Sequence, residues 1–492
     1  MRNSLVQLFD FLTKINITTK FEYKFNKKIK NITQNSKEIK KGDIFISLKS
    51  KKIKSTKFIM EAINKGCIAI ISDKKIPKIN TKIPIIYNKE LKKNLHFFLK
   101  NLYKKTPHNI IAITGTNGKT SVCWYLYQIL KLNNSNVSYI GTIGEYYNNL
   151  KISNTSLTTP DICSLYRLAD LHAKKGSRNF IFEASSHGIS QKRIFGFPLT
   201  IAAITNITKD HLDYHKSLAE YRKVKLSLFT DYLNNNGLAI VNSTINLKRN
   251  FISKLKSKKI KLLSYGSLKD KIYIQFKKGA YFIKIYNERF ILPIDFAYDF
   301  DLRNLECAIA IALHLGLSIE NTFNSIANIA RPPGRMQLCY PLHNRSKVYI
   351  DYAHTPDALK NILISVRKLQ NIKPSVVFGC GGDRDKSKRI LMGKIANRNA
   401  NKVYITDDNP RSEKSANILL SIAKGCSRAI LINKRENAIR KAVQDLKENE
   451  ILIIAGRGHE KFQLIKNKKI PFDDLKITNS IIKKINNDQR KK

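Results

Sequence analysis

The densest chemistry in this sequence is the turn Thr114-Gly115-Thr116-Asn117-Gly118-Lys119-Thr120-Ser121, which follows an apolar run over 110–114. Glycines let main-chain N–H groups close on a polyphosphate, Lys119 brings a point charge to its outer phosphates, and the Thr120 hydroxyl can join a Mg²⁺ shell. Ile113 stands where the strict eight-residue pattern has its first glycine, so the loop is a variant form. An apolar-periodic stretch over 120–130 completes the order strand, phosphate loop, helix, and predicts ATP binding. Glu183 ends a second apolar run over 180–182, which puts a carboxylate at the carboxyl edge of a sheet, where the phosphates and a cation would lie. His211 and His215 flank Asp213, and on spacing alone this cluster could be a metal site, a buried network or a polar loop. Lys225, in a helix-like run over 218–229, reads by itself as a solvated side chain. Asp408-Asn409-Pro410-Arg411 follows a strand, so it sits at a switch-point loop. There Arg411 could grip a carboxylate bidentately or simply belong to an Asn-Pro turn.

These residues need a large scaffold. The chain has 492 residues, enough for about three domains at roughly 100 to 200 residues each. Apolar residues make up 42% and charged residues 26%, which suits a globular protein with several cores and excludes a disordered tail. No apolar run approaches the roughly 18 residues of a membrane helix, and the amino terminus lacks a secretory pattern, so the expected location is cytoplasmic. Seven cysteines, widely spaced and without a C-x-x-C pair, read as reduced, mostly buried thiols. The net charge of +52 would ordinarily raise nucleic acid or an anionic membrane as partner. Lysines are nevertheless spread through every segment beside many Ile and Asn, with no basic stretch interleaved with aromatics, so no specific nucleic-acid partner is expected.

Thr106-Pro107-His108 and Arg331-Pro332-Pro333-Gly334 punctuate the chain. They predict three α/β domains, at 1–106, 107–332 and 333–492. The first is a small α/β unit with strands over 43–48 and 68–72 and a helix over 58–64; the second is a P-loop ATPase-like domain. The third alternates strands (348–351, 375–378, 402–406, 451–455) with helices, a doubly wound, Rossmann-like parallel sheet. Residues 484–492 read as a polar, frayed tail.

Several motifs agree in order with one family. The phosphate loop, Glu183-Ala184-Ser185-Ser186-His187-Gly188, Asn206-Ile207-Thr208-Lys209-Asp210-His211-Leu212-Asp213-Tyr214-His215, Asp351-Tyr352-Ala353-His354-Thr355-Pro356-Asp357 and Asp408–Arg411 together resemble the Mur ligases over nearly the whole chain. Mur ligases are the ATP-dependent amino-acid-adding enzymes of peptidoglycan precursor synthesis. The last motif is similar to that of members adding meso-diaminopimelate to UDP-N-acetylmuramoyl-L-alanyl-D-glutamate. The resemblance implies a monomeric ligase using ATP and Mg²⁺. The γ-carboxylate of D-Glu would take a phosphoryl group to give an acyl phosphate, which the amine of diaminopimelate then attacks.

Residue roles follow from the same resemblance. Residues 1–106 would bind the UDP-muramoyl part, 107–332 ATP, and 333–492 the incoming amino acid. Gly115, Thr116, Asn117, Gly118, Lys119, Thr120 and Ser121 would hold ATP phosphates, and Asn304, Arg335 and Asp351 the adenosine end. Lys119, Glu183, His211 and Lys225 would be catalytic. Thr120, Glu183, His211 and Lys225 would form the metal shells, with Lys225 carbamylated so that it becomes carboxylate-like. Ser36, Thr158, Thr159, Ser185, Gln191 and Arg193 would bind the muramoyl dipeptide. Arg384, Asp408, Asn409, Pro410, Arg411, Gly456 and Glu460 would bind diaminopimelate. The chain departs from the family at Asn35-Ser36-Lys37, where a D-S-R uridine motif is usual, and at Tyr298, Asp301 and Gln337. A folylpolyglutamate synthetase-like ligase is the nearest alternative; a nucleic-acid-binding P-loop ATPase rests on charge alone.

Overall fold

The computed structural model describes residues 28–48, 56–76, 79–155, 157–277, 280–292, 298–466 and 468–490. Its centre is an eight-stranded sheet whose strand Asn109–Thr114 pairs in parallel with Leu199–Ile204 on one side and Asn179–Glu183 on the other. The sheet's strands from Lys261–Tyr265 to Val137–Gly141 are parallel, and a meander through Gly144–Tyr147 and Leu150–Ser153 ends it antiparallel. Period-two alternation in these Ile-rich strands serves two cores at once. Ile110, Ala112, Phe180 and Phe182 face one cluster, while Ile111, Ile113 and Ile181 face the other. Each fully buried Ile of this kind contributes about 1.5–3 kcal/mol relative to exposure. Because both faces are covered, polar groups are confined to the strand ends, where Glu183 is placed.

The first segment forms a four-stranded parallel sheet from Asn31–Thr33 to Ile85–Tyr87. It shares a core with the central sheet. Ile32, Ile44 and Ile71 lie in the same apolar cluster as Ile110 and Phe182, joined through the helices Leu91–Leu102 and Ile162–Lys174.

Beyond Arg331-Pro332-Pro333, a six-stranded sheet runs in the spatial order Gln337–Leu338, Lys347–Ile350, Ile451–Ile454, Ser375–Phe378, Val403–Ile405, Ile430–Leu431. It is parallel throughout except for its first edge strand, so the sequence expectation of a fully parallel sheet needs that amendment. Two small antiparallel sheets, over 272–291 and 462–471, were not anticipated. The expected frayed tail is corrected over its described part. Residues 484–490 lie in the helix Asp474–Arg490, whose Ile481 and Ile482 pack into the core beside the helix Arg435–Gln444; residues 491–492 lie outside the described residues. All seven cysteines are buried free thiols. Among the described residues no helix is long and apolar enough to cross a membrane.

The last helix is fastened by a fully buried ion pair. Arg435 grips Asp474 through Nε and Nη2, both at 2.8 Å, and Nη2 also donates to the Ala455 carbonyl at 2.9 Å. Removing one partner strands the other charge. Asp474→Ala should therefore destabilise the C-terminal sheet by about 3–5 kcal/mol, read as a lowered urea midpoint; an unchanged midpoint would contradict this account.

Candidate active site

The phosphate loop joins Asn109–Thr114 to the helix Lys119–Leu132. Gly115 (φ 147°) and Gly118 (φ 87°) occupy backbone regions that side chains rarely adopt, and both are closely covered. A Cβ at Gly115 would stand 1.8 Å from Thr205 Oγ1, and one at Gly118 would stand 2.3 Å from Asn304 Oδ1. Asn304, expected at the adenosine end, therefore packs directly on the loop. Asn117 is tied to Asn206 by its N–H, and its amide donates to Asp357 at 3.2 Å, crossing to the C-terminal segment. Thr116 is braced by Tyr221 and Thr208, and Ser121 is buried in the first turn of the helix.

Two lysines converge on one carbonyl. Lys119 Nζ donates to Gly115 O (2.8 Å) and Thr116 O (2.9 Å), and Lys225 Nζ donates to the same Gly115 O at 2.8 Å. Lys225 comes from the helix Leu218–Ser227 and is 1% exposed, with its amine 4.5 Å from the Tyr221 ring centroid. Burial, and after it the neighbouring Lys119 charge, push the Lys225 ammonium well below the lysine range. Burial lowers Lys119 as well, although Glu183 and Asp210 oppose the shift.

Glu183, the last residue of its strand, is fully buried and meets four donors. Tyr139 Oη and the Thr142 N–H approach Oε1, each at 2.7 Å, while the hydroxyls of Thr120 and Thr142 approach Oε2, each at 3.0 Å. Oxygen donors on Thr120 and Glu183 at the lip of a phosphate loop suit a hard divalent cation beside a nucleotide. Among the described residues no three His, Cys, Asp or Glu side chains converge as a ready metal cluster. His211 stands to one side with φ 54°, its main-chain N–H bonded to Asp210 Oδ1 and its Nε2 3.3 Å from Asp210 Oδ2. Burial pushes His211 down despite Asp210, and pushes the neighbouring His187 down to about 4. His215 is buried, edge-on to Tyr214 and tilted against Tyr221.

The residues expected to hold the dipeptide fall into two places. Thr159, Ser185, Gln191 and Arg193 are contiguous: Arg193 donates to Gln191 Oε1 and to Thr159 O, and Ser185 caps the helix Ser186–Ser190. Thr158 meets the Thr142 hydroxyl at 3.2 Å, next to Glu183. Ser36 lies in the first sheet's turn, with its hydroxyl donated to Glu61 at 2.7 Å. Lys65 Nζ bonds the carbonyls of Ser36 and Lys37.

The third group forms a second pocket wall. Arg411, itself at φ 52°, donates from Nη1 to Gly382 O at 2.8 Å and lies beneath Gly381. Asn409 donates to Glu460 Oε2 at 3.1 Å and accepts from Arg457 and the Leu464 N–H. Asp408 packs on Gly456, where a Cβ would meet its Oδ2 at 2.8 Å, and Pro410 O packs against Gly382. Burial and the Asp408 charge raise the Glu460 carboxyl; burial and Arg384 lower Arg411. Arg384 reaches across to Asp213 Oδ2 at 3.9 Å. Arg335, expected at the adenosine end, stacks on Tyr352 and its Nη2 lies 3.5 Å from Thr120 Oγ1, at the phosphate end. Asp351 turns inward and accepts the N–H groups of Met336 (2.8 Å) and Ala353 (2.7 Å), so it shapes the hinge backbone.

No role was legible in the sequence for Tyr139, Thr142 and His459, nor for Asp210 and Asp357, which stand there only within longer motifs. Thr142 lies forty-one residues before Glu183 with no local pattern to flag it. His459 had a signal, since it follows the turn at Gly456 and Gly458 after a strand and adjoins Glu460.

The chain is similar to known proteins over most of its length. Residues 113–312 match the Mur ligase middle domain, and residues 334–458 match the Mur ligase glutamate ligase domain. A UDP-N-acetylmuramoyl-L-alanyl-D-glutamate–2,6-diaminopimelate ligase of Rickettsia montanensis is 37% identical over 469 residues, 93% of this chain and 96% of its own. A solved structure of a ligase with the same name superposes with a TM-score of 0.64 at 27% identity, covering 98% of this chain and 99% of its own. A bifunctional folylpolyglutamate synthase/dihydrofolate synthase of Yersinia pestis, complexed with AMPPNP and Mn ion, has a TM-score of 0.57 at 16% identity. It covers 75% of this chain and 90% of its own, and shares the fold alone. This chain belongs to the Mur ligase family of ATP-dependent, amide-bond-forming ligases.

Proposed function

We infer that the chain adds meso-diaminopimelate to the D-glutamate of UDP-N-acetylmuramoyl-L-alanyl-D-glutamate, at the expense of ATP, in peptidoglycan precursor synthesis. The observation that carries this reading is the meeting of three residue groups at one junction. Arg335 to Thr120, Arg384 to Asp213 and Asn117 to Asp357 bring the amino-acid wall of the third segment over the phosphate loop and Glu183. The 37% relative, which spans nearly the same length, supports the substrate pair. We assign residues 1–106, 107–332 and 333–492 to muramoyl, nucleotide and amino-acid binding, and read the enzyme as a cytoplasmic monomer.

ATP supplies the activating phosphoryl group, and Mg²⁺ would be held by Thr120 and Glu183, with His211 and modified Lys225 completing the metal shells, and would supply charge that offsets the negative oxygens. The rest is done by the chain. Backbone N–H groups of 115–121 and Lys119 hold the phosphates, releasing Lys119 from the loop carbonyls it now bonds. Asn304 and Asp351 keep the loop and hinge in shape, and Arg335 adds a guanidinium beside the phosphates. Thr158, Thr159, Ser185, Gln191 and Arg193 orient the dipeptide so that its γ-carboxylate faces the phosphate end. Ser36 lies on the uridine side, where Glu61 and Lys65 reshape the turn.

The carboxylate that separates diaminopimelate from lysine is taken by Arg411, with Arg384 beside it, while Glu460 and Asn409 receive an ammonium group. Asp408, Pro410 and Gly456 hold that wall. A guanidinium left unpaired when lysine binds discriminates by about 10⁴-fold or more. Offering the muramoyl dipeptide, ATP and either meso-diaminopimelate or L-lysine tests the reading: amide should form with the first and not the second. Amide formation on a folate acceptor instead would replace it. Arg411→Ala should lose diaminopimelate addition far more than ATP binding, and equal loss of both would refute the assignment.

Lys225 should be carbamylated. Its amine, desolvated beside Lys119, gives up its proton more readily than an ordinary lysine, and a neutral amine is what attacks CO₂. For an ordinary lysine the reactive fraction rises about tenfold per pH unit below its pKa. With the pKa depressed, CO₂-dependent activation should reach its plateau at a lower pH than it would with an ordinary lysine. Degassed enzyme should lose activity and regain it with bicarbonate. Full activity without CO₂, with an unmodified amine in electron density, would end this assignment.

A further inference from the structure

The turn that carries Glu460 also carries His459, and the two face different partners. Glu460 accepts from Asn409 at the amino-acid wall, whereas His459 Nε2 lies 3.1 Å from the carbonyl oxygen of Thr142 in the central segment. Thr142 is the residue that gives Glu183 two of its four hydrogen bonds, from its N–H to Oε1 and from its hydroxyl to Oε2. A single residue, Thr142, therefore stands between the histidine and the buried carboxylate.

The turn itself has little freedom to move independently. A Cβ on Gly334, in the hinge, would stand 2.2 Å from the His459 main-chain nitrogen, and one on Gly458 would stand 2.9 Å from Tyr352 Cβ. The His459 ring centroid lies 5.4 Å from that of Tyr352, which also stacks under Arg335. Hinge, turn and histidine thus move as one body against Thr142.

We propose that His459 is a positioning residue whose Nε2–H to Thr142 carbonyl bond transmits closure of the C-terminal segment to Glu183. A bond to its carbonyl fixes the plane of the Thr142–Ile143 peptide and with it the position of Thr142, whose N–H and hydroxyl hold Glu183; the bond is absent whenever the two segments part. Cation and nucleotide are then held well only in the closed arrangement, with the amino-acid wall in place. The inference rests on the reading of Glu183 as a cation ligand. The ring's state agrees with it: burial and the Arg335 charge push His459 down to about 3, so the imidazole is neutral with one N–H. Because the Thr142 oxygen can only accept, that hydrogen sits on Nε2, and Nδ1 has no partner among the described residues.

Gln and Asn at 459 separate a positioning role from a general one, because a Gln amide nitrogen reaches the place of Nε2 and an Asn amide stops short of it. Cation-dependent ADP binding, measured calorimetrically without turnover, should weaken about five- to tenfold in His459→Asn, as expected for loss of one hydrogen bond. His459→Gln should stay within about twofold of the native protein. The rate constant kcat should follow the same order, while KM for diaminopimelate changes little. Gln and Asn behaving alike, at any level of binding, would overturn the proposal while native activity remained. A native protein that shows no cation-dependent ADP binding would instead overturn the reading of Glu183, and the proposal with it.

Discussion

A carboxylate with no exposed surface is tenable only if donors surround it, and the site is organised by how Glu183 meets that demand. Its four donors come from the phosphate-loop helix (Thr120), the neighbouring strand (Tyr139) and the turn after that strand (Thr142, twice). Each donor sits on an element that the central sheet holds rigid, so the carboxylate orientation is inherited from the sheet. The turn after strand Asn179–Glu183 extends the same logic, because Thr159 bonds Glu183 O and Ser185 at once. The residues read as dipeptide ligands are thus part of one polar layer at the carboxyl edge of the strands.

A second constraint is the pair of lysines on Gly115 O. Two ammonium groups on one carbonyl repel, and burial removes the water that would screen them. Lys119 has both Glu183 and Asp210 opposing its desolvation, whereas burial and the Lys119 charge push Lys225 down against Asp210 alone, so the charge is retained more readily on Lys119. This asymmetry gives the two residues different chemistry although both are buried lysines. It also gives the loop a resting conformation, with Lys119 folded onto its own carbonyls.

The C-terminal segment contributes chemistry only by reaching over. At the site its contacts with the central segment are polar (Asn117 to Asp357, Arg335 to Thr120, Arg384 to Asp213, His459 to Thr142), while Tyr298 and Phe300 of the central segment pack into the C-terminal apolar cluster. The first segment likewise shares an apolar core with the central sheet.

Much of this was legible in the residue order. Gly115 to Ser121 after an Ile-rich run could only be a strand, a phosphate loop and a helix, because glycine placement and apolar period agree there. The strand-end position of Glu183 followed from the same periodicity, and the third segment's strand and helix alternation foretold its parallel sheet. What the order of residues left undecided was contact across distance. Nothing local marks Thr142 as the donor to Glu183, shows that Lys225 meets Lys119, or turns Asp351 inward to its hinge. The edge strand Gln337–Leu338 pairs antiparallel, and residues 484–490 are helical because a buried Arg435–Asp474 pair and apolar packing hold them. Periodicity reports which face of an element is buried, so residue order settles the elements and the types of chemistry at their ends. Which ends meet depends on long-range packing and on the desolvation that comes with it, and that is visible first in the folded molecule.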